Sequence, residues 1–380
     1  MSIRFLDPIT GLDVRSTEFA RRTLAAAAKD NRDLYQNISG APDWRKWYIR
    51  LFAELAIEEG RSPSQLAKMA TAGLNEFRSH LHTSSGEKLS TSVAKGFDAN
   101  LVETVVIRGS GSKRPIAVAR HSGPMANLAG EWDSNGWAEP GLIESFRFLD
   151  QNPNLSLEGN LLFAVAGAAE FAPTEHWLAW GGQVAVVARN NPKTWERMIA
   201  MARASAGVML VPVVREDKSV PLENLSDQQL AQVAGLDMLE HYAEIASWMK
   251  QLSNKATSKL ILGLYAYTPK TNHIRVQAVQ EALADLAMQK FSSEKLVLSW
   301  LATPTDSTAG PASIGLDQQA RFSKRSSMHV IRDSFRGIIN AARAARAKLF
   351  FLEAHSALAS LPSSLCRLPS FVSGLTSCQN

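Results

Sequence analysis

Apolar residues recur with helical spacing through the first hundred residues of the chain. The spacing is clearest in three segments, TEFARRTLAAAA, WRKWYIRLFAELAIEEG and SPSQLAKMATAGLNEFRSHL, and it predicts helices with one buried face. Ser62 and Pro63 open the third segment. This pair is typical of a helix start, because serine caps free amides and proline fits the first turn. We therefore predict a helical N-terminal region over residues 1–97.

The pattern changes after residue 97. The segments LVETVVIRG and RPIAVARHS alternate polar and apolar positions and are joined by Gly109–Gly111, which predicts a hairpin of two strands. A Gly-, Trp- and Pro-rich stretch follows, GPMANLAGEWDSNGWAEPGL, and we expect it to be a loop that folds over another part of the protein. The hairpin and this loop make up a second region, 98–157.

From residue 158 onward, apolar runs alternate with amphipathic segments. The runs are GNLLFAVAG, QVAVVAR, VMLVPVV, KLILGLYAYTP and EKLVLSWLATP, each typical of a strand that is covered on both faces. Such alternation predicts a parallel sheet with right-handed helical crossovers. The predicted fold class is α/β, with a Rossmann-like nucleotide-binding domain over 158–316. Its parallel sheet has helices on both faces and is preceded by a mainly helical N-terminal region with a small hairpin.

A basic tail occupies residues 317–380. Between Arg321 and Arg367, nine Lys and Arg residues stand against two acidic ones, whereas the whole chain carries only +5. Residues 328–352 show an apolar stripe at helical spacing, with basic residues elsewhere on the helix. The stripe consists of Ile331, Phe335, Ile338, Ala342, Ala345 and Leu349. We predict an amphipathic helix that docks on its own domain or pairs in a homo-oligomer, because the stripe is too small for firm membrane anchoring.

Composition narrows the classes of function. No run approaches the roughly 18 apolar residues that a membrane span needs, and the first residues lack the apolar core of a signal peptide. Both cysteines, Cys366 and Cys378, lie near the C-terminus, so a disulfide scaffold or cysteine zinc site is not expected. The main body lacks the basic surplus that holds nucleic acid. We expect a cytoplasmic protein with a small-molecule substrate and neither a nucleic-acid partner nor an integral membrane span.

Ligands of doubly wound sheets bind beyond the carboxyl ends of the strands, and two segments there concern a nucleotide. After the first strand of the sheet, Gly167, Ala168 and Ala169 are small enough to let backbone amides approach a pyrophosphate, although a plain strand-to-helix turn has the same composition. After the second strand, Arg189 and Asn190 suit the 2′-phosphate of NADP, where an acid would favour NAD. The alternative is a solvated charge at a strand end.

The segment after the fourth strand offers acid–base chemistry. It contains Tyr265, Tyr267, Lys270 and His273. A phenol whose pKa is lowered by a nearby ammonium is a common device for carbonyl reduction, and a histidine can relay the proton. The alternative is that both tyrosines are packing residues with satisfied hydroxyls.

Hydroxyl groups follow the fifth strand. Thr303 and Thr305 could hold a carboxamide or a substrate oxygen, but the same residues are also ordinary turn formers. The sequence contains no H-E-x-x-H, G-x-S-x-G or P-loop motif. We therefore predict no metal site, serine hydrolase or NTPase.

Together these segments resemble the short-chain dehydrogenase/reductase superfamily. The resemblance covers about residues 159–307 and rests on NLLFAVAGAAEFAP as the cofactor-binding strand and turn, on GGQVAVVARN as the second strand, and on ATPTDST after the last. It implies a Rossmann fold, an NAD(P) cofactor and the interconversion of carbonyls and alcohols. The Tyr-x-x-x-Lys pair of the family has no counterpart, since Tyr265 stands five residues before Lys270 and Tyr267 three.

The sequence thus predicts an NADP (NADPH)-dependent oxidoreductase for a hydrophobic carbonyl or alcohol, with Trp132 and Trp137 contacting the substrate. The alternative is a degenerate, non-catalytic module on the same scaffold that senses a nucleotide or binds another protein. The incomplete glycine turn and the missing Tyr/Lys spacing favour this alternative. A methyltransferase using S-adenosylmethionine is a third option, but Arg189 stands where that class has an acid.

Overall fold

A computed structural model describes the following parts of the chain: residues 3–114, 123–134, 140–152, 156–215, 219–268, 272–301 and 320. Some predictions lie outside these residues. They are the second strand of the hairpin beyond Arg114, Trp137, Lys270, Thr303, Thr305 and the amphipathic helix over 328–352.

Helices fill most of the first hundred residues, as the apolar spacing predicts. They are α1 (Ser16–Ala27), α2 (Arg32–Ser39), α3 (Trp44–Glu59), α4 (Pro63–His80) and α5 (Leu89–Asp98). The predicted start of α4 is confirmed, because Pro63 is its first residue and the Ser62 hydroxyl accepts a hydrogen bond from the Gln65 amide at 3.1 Å. Two short strands, β1 (Arg4–Phe5) and β2 (Leu81–His82), pair antiparallel beside these helices.

A six-stranded sheet follows the helical region. Its strands are β3 (Glu103–Arg108), β4 (Leu161–Val165), β5 (Gln183–Val187), β6 (Val208–Val213), β7 (Leu260–Leu264) and β8 (Leu296–Trp300). They lie in the order β3-β6-β5-β4-β7-β8. All neighbours are parallel except β3, which runs antiparallel to β6. The five parallel strands have the order of a Rossmann-like doubly wound sheet, which confirms the predicted fold class.

Helices cover both faces of this sheet. In chain order, the helices after β3 are α6 (Met125–Ser134), α7 (Pro140–Gln151), α8 (Thr174–Ala179), α9 (Pro192–Ala204), α10 (Asp227–Val233), α11 (Tyr242–Ser253) and α12 (Asn272–Lys290). Residues of α8 to α12 belong to the apolar clusters of the sheet, whereas α6 and α7 pack on each other. On one face, Trp195 of α9 packs in a cluster with Val186 of β5. On the other face, Trp248 of α11 packs on Phe163 of β4, with ring centroids 5.3 Å apart. In the described part of the chain, no helix is long and apolar enough to cross a membrane.

The N-terminal helices share the second of these cores. Phe19, Phe77 and Val93 are buried in the same apolar cluster as the inner strands. Arg78 of α4 also donates through Nε to Glu281 of α12 at 2.7 Å. Burial raises the pKa of the Glu281 carboxyl, and the Arg78 charge opposes this rise. Helix α12 is therefore held between the sheet and the N-terminal helices.

The second strand of the predicted hairpin lies outside the described residues, and the predicted turn at Gly109–Gly111 forms hydrogen bonds with the end of α9 and the residues after it. Strand β3 forms, but it pairs along its whole length with β6. The chain then passes under the end of α9, where the Gly109 amide donates to the Gly207 carbonyl at 2.9 Å and the Arg114 amide to the Ala179 carbonyl at 2.9 Å. The physical reason is that β6 offers a long apolar edge, whereas an isolated two-stranded hairpin is only marginally stable. Among the described residues, a small antiparallel pair is formed by β1 with β2.

The Trp-rich stretch is also not a loop in its described parts, contrary to the prediction. Helices α6 and α7 pack on each other, with the Trp132 and Phe146 ring centroids 5.7 Å apart. The Asp150 carboxylate accepts hydrogen bonds from the Met125 amide at 2.9 Å and the Ala126 amide at 2.7 Å, so α7 caps the start of α6. Composition alone suggested a loop, because the capping carboxylate comes from a distant part of the sequence.

Candidate functional site

A cavity of about 390 Å³ opens beyond the carboxyl ends of β4, β5 and β7. The chain leaves β4 toward β5 on one side and leaves β7 toward β8 on the other, so the connecting loops diverge there. This is the switch point at which doubly wound sheets bind their ligands. The volume lies within the roughly 300–1,000 Å³ of small-molecule sites. The lining comes from the loops after these three strands, from residues 236–239 before α11, and from the N-terminal ends of α9 and α12.

Arg189 is a basic residue that lines this cavity. The side chain is exposed, and none of the hydrogen bonds or ion pairs among the described residues involves its guanidinium. Its backbone is fixed, because the buried Trp195 indole donates to the Arg189 carbonyl at 3.1 Å. Asn191 accepts a hydrogen bond from the Thr194 amide at 3.2 Å and starts α9. The predicted Asn190 instead donates to the main chain beside α10, and it does not line the cavity.

The turn after β4 is built on internal hydrogen bonds. The Gly167 amide donates to the Val187 carbonyl at 3.0 Å, and the Ala169 amide to the Ala166 carbonyl at 2.9 Å. Ala166 has φ +60°, a conformation that costs a non-glycine residue about 1 kcal/mol. Two amides expected to face a phosphate are therefore already occupied, while Ala168 and Ala169 still line the cavity.

The helix after this turn starts late. Helix α8 begins at Thr174 and has six residues, so residues 168–173 separate it from Gly167. The Thr174 hydroxyl donates to the Gly167 carbonyl at 2.6 Å and closes the turn. Pyrophosphate sites of Rossmann folds place a helix N-terminus directly behind a glycine turn. This turn lacks that arrangement.

The loop after β7 is held by a buried side chain of α12. Gln280 accepts a hydrogen bond from the Ala266 amide at 3.0 Å and donates to the Ala266 carbonyl at 3.2 Å. Both backbone polar groups of Ala266 are thus satisfied as they would be by a neighbouring strand. The next two residues, Tyr267 and Thr268, line the cavity, so Gln280 sets where they stand.

The two predicted tyrosines have different environments. Tyr265 is 6% exposed and donates to the Ser299 hydroxyl at 3.2 Å. Burial raises the pKa of the Tyr265 phenol, and the hydrogen bond to Ser299 opposes this rise. Tyr267 is 59% exposed, lines the cavity and contacts the ring of the buried His273 at a centroid distance of 5.3 Å. Among the described residues predicted for catalysis, Tyr267 is therefore the one that reaches the cavity.

The predicted site residues divide into three groups. Four of them line the cavity together: Ala168, Ala169, Arg189 and Tyr267. Four others stand beside it without being part of its lining: Gly167, Asn190, Tyr265 and His273. The remaining three lie outside the described residues: Lys270, Thr303 and Thr305.

Sequence reasoning missed two residues of this site, Asp237 and Gln280. Asp237 lines the cavity from the segment between α10 and α11, and Gln280 holds the loop from within α12. Neither belongs to a motif. The available signal was Gly235, whose φ of +117° marks a sharp, close-packed turn just before Asp237.

Over the described ranges, no group of three His, Cys, Asp or Glu side chains is arranged to hold a metal ion. Comparison of the sequence with models of known protein families gives no match, and comparison with curated proteins gives no significant match either. The functional argument therefore rests on the fold and on the geometry of the cavity.

Proposed function

We propose that the protein is an NADP-dependent oxidoreductase that binds its cofactor in the cavity beyond β4, β5 and β7. The position of the cavity at the switch point of a Rossmann-like sheet supports a nucleotide ligand. The apolar part of the lining, which includes Val187, Leu236 and Met238, supports flat rings and a hydrophobic substrate.

The placement of Arg189 carries the proposal. Its guanidinium stands beyond the second parallel strand, where Rossmann proteins distinguish the two nicotinamide cofactors. A guanidinium presents two parallel donors to a phosphate, and none of the described acidic side chains occupies them. An acid at this place would instead accept hydrogen bonds from ribose hydroxyls. Arg189 therefore favours a 2′-phosphate.

Tyr267 is the proposed proton donor. When bound, the nicotinamide supplies the hydride that a substrate carbonyl carbon accepts. The carbonyl oxygen then needs a proton, and we assign its donation to the Tyr267 phenol, because Tyr267 lines the cavity. Its exposure to solvent allows it to be reprotonated. We keep Lys270 as the proposed cation beside this phenol, His273 as its relay, and Thr303 and Thr305 as further contacts.

A second candidate is a nucleotide-sensing module without hydride chemistry. The turn after β4 favours it, because the Gly167 and Ala169 amides are bonded within the protein and α8 starts late. A ligand held mainly by side chains could bind and change conformation without being positioned for reaction. This candidate predicts binding without turnover.

Binding is tested by titrating the full chain with NADPH and with NADH and following cofactor fluorescence. We expect NADPH to bind at least tenfold more tightly, because a charge-assisted phosphate contact is worth about 1.5–3 kcal/mol. Arg189→Ala should remove this preference. Arg197→Ala is the matched control, since Arg197 is exposed on α9 but does not line the cavity. Equal affinities for both cofactors in the unmodified protein would end the proposal.

Turnover is tested by NADPH oxidation with a panel of hydrophobic aldehydes and ketones. Tyr267→Phe should lower the rate by about 10²-fold or more and leave NADPH affinity and melting temperature unchanged. Tyr265→Phe should leave the rate unchanged and lower the melting temperature, because the hydrogen bond to Ser299 is lost. NADPH binding without turnover of any substrate would favour the sensing module.

We further propose that the protein acts in the cytoplasm as a homo-oligomer assembled through its basic tail. The apolar stripe within 328–352 is the basis for this proposal. The molecular mass of the full chain in solution is the measurement, and a monomer at micromolar concentration would contradict it.

A further inference from the structure

Helix α12 links the cavity to the N-terminal helices. Its first two turns reach the cavity, because Asn272 and Val276 belong to the lining. One turn further on, Gln280 bonds to both the amide and the carbonyl of Ala266, the residue before Tyr267. A shift of α12 would therefore move the loop that brings Tyr267 to the cavity.

The N-terminal region holds α12 at two places. Arg78 of α4 donates through Nε to Glu281 at 2.7 Å, and its Nη2 lies 2.8 Å from Asp285 Oδ1. Nearer the start of α12, Arg275 donates through Nε to the Ile3 carbonyl at 2.8 Å. Both contacts join residues that lie about 200 positions or more apart in the chain, so they belong to the tertiary fold and not to the helix itself.

These contacts are made by residues that are next in sequence to residues of the site. Arg275 precedes Val276, and Glu281 follows Gln280. Adjacent residues of a helix point about 100° apart, so Gln280 bonds to the loop after β7 while Glu281 bonds to α4. Because a helix is a rigid element, a shift at Glu281 is passed on to Gln280.

The contact at Glu281 depends on Arg78. Glu281 is 4% exposed, and its Oε1 accepts both Nε and Nη2 of Arg78. A buried carboxylate that loses its cation is strongly unfavourable, so it must take up a proton or move toward water. Asp285 would lose the same cation, and its charge acts on Glu281 as a like charge. Arg78 therefore keeps two carboxylates of α12 against α4.

We propose that Arg78 is a positioning residue for Tyr267. It fixes α12 through Glu281, and the fixed helix keeps Gln280 bonded to the loop after β7. The inference rests on the proposed function only for the role of Tyr267 as proton donor. It goes further in giving the N-terminal helical region a part in the site, as the support on which α12 is held.

Hydrogen exchange in the ligand-free full chain tests the positioning. The Ala266 amide is bonded to Gln280, so peptides spanning residues 262–268 report whether this bond holds. Arg78→Met should speed exchange in this segment about tenfold, which corresponds to losing the protection of about one hydrogen bond. Gln280→Met removes the bond directly and serves as the reference for the largest change.

Arg22→Met is the matched control. Arg22 is also a partly buried arginine of the N-terminal helices, but its ion pairs are with Asp7 and Glu18. It should leave exchange at 262–268 as it is in the unmodified protein. Exchange there that is no faster in Arg78→Met than in Arg22→Met would overturn the inference.

Arg78→Lys decides the matter if Arg78→Met does not fold. The ammonium keeps a positive charge beside Glu281, but it lacks the planar fork that serves two carboxylates at once. Exchange at 262–268 should therefore rise by a smaller factor, about threefold. Exchange equal to that of the unmodified protein would count against the positioning role.

Turnover separates this inference from the proposed function. With NADPH and a carbonyl substrate, Arg78→Met should lower the rate about tenfold or more, because a small misplacement of a reacting group costs this much. NADPH affinity, which we assign to Arg189, should stay unchanged. Faster exchange without any turnover in the unmodified protein would end the proposed chemistry and leave the positioning in place. Faster exchange with an unchanged rate would instead show that Arg78 does not position Tyr267.

Discussion

Two walls of the cavity are built in opposite ways. At the end of β5, the backbone is held by Trp195 and Gly235, and the charged residues Arg189 and Asp237 line the cavity there. In the turn after β4, the backbone amides of Gly167 and Ala169 bond within the protein, and the residues that line the cavity are Ala166, Ala168 and Ala169. One wall presents charges and the other presents a smooth apolar surface.

The difference shows how the site would recognise a ligand. Most Rossmann folds bind a pyrophosphate with backbone amides of the first turn and use the second strand only to select the ribose. In this protein, the Gly167 and Ala169 amides of the turn after β4 donate to carbonyls of the protein itself. Recognition of the proposed nucleotide would therefore depend on side chains that line the cavity, such as Arg189, more than on any glycine of the turn.

Gly235→Ala should have the largest effect on this comparison. Gly235 has φ +117°, and the new Cβ would lie 2.7 Å from Trp195 Nε1 and 2.8 Å from the backbone nitrogen of Asn190. We expect a loss of about 3 kcal/mol of unfolding free energy, measured by urea denaturation. Gly11→Ala is the control, because Gly11 has φ +69° in open space and should cost only about 1 kcal/mol. Equal losses for the two variants would show that close packing around Gly235 does not stabilise the backbone at the end of β5.

Gly167→Ala tests the other wall. The new Cβ would lie 2.9 Å from the Ala164 Cβ and 3.2 Å from Val186 Cγ1, and overpacking of this kind costs about 2 kcal/mol. NADPH affinity should be unchanged in the folded protein, because Gly167 does not line the cavity. Gly130→Ala, with open space around it, should cost nothing. A loss of affinity with intact folding would mean that the turn does bind the phosphate.

Asn191→Ala should have a smaller effect at the β5 wall. Its side chain caps α9 by accepting the Thr194 amide at 3.2 Å, and losing such a cap costs about 1 kcal/mol. Lys193→Ala in the same turn is exposed and should change stability by less than about 0.5 kcal/mol. If both variants are equally stable, the capping hydrogen bond contributes nothing.

Ala166→Gly should give the smallest effect, and a gain. Ala166 holds φ +60°, which glycine adopts without the steric cost that alanine has. We expect thermal denaturation to show about 0.5 kcal/mol of added stability, after the entropy cost of a glycine is deducted. Ala169→Gly should instead lose stability, since the residues with positive φ do not include Ala169. A destabilised Ala166→Gly variant would contradict the assignment of strain to this turn.

Much of the fold is readable from local patterns, and the site is readable in part. The apolar runs of β4 to β8 and the amphipathic helices between them specify a parallel sheet, because each element follows from its own periodicity. The ends of these strands then identify Arg189 and Tyr267 as cavity residues. The pattern could not separate Tyr267 from Tyr265, because strand-end position is shared by both and burial depends on what packs from elsewhere.

The sequence by itself determined the order of the elements, the start of α4 at Ser62 and Pro63, and the charge at the end of β5, since each depends on neighbours a few residues away. Only the tertiary structure decided that β3 pairs with β6 and that the Asp150 carboxylate of α7 caps the start of α6. It also decided that Asp237 and Arg189 line the same cavity. These are contacts between residues far apart in the chain. Their free energy comes from partners that local periodicity does not specify.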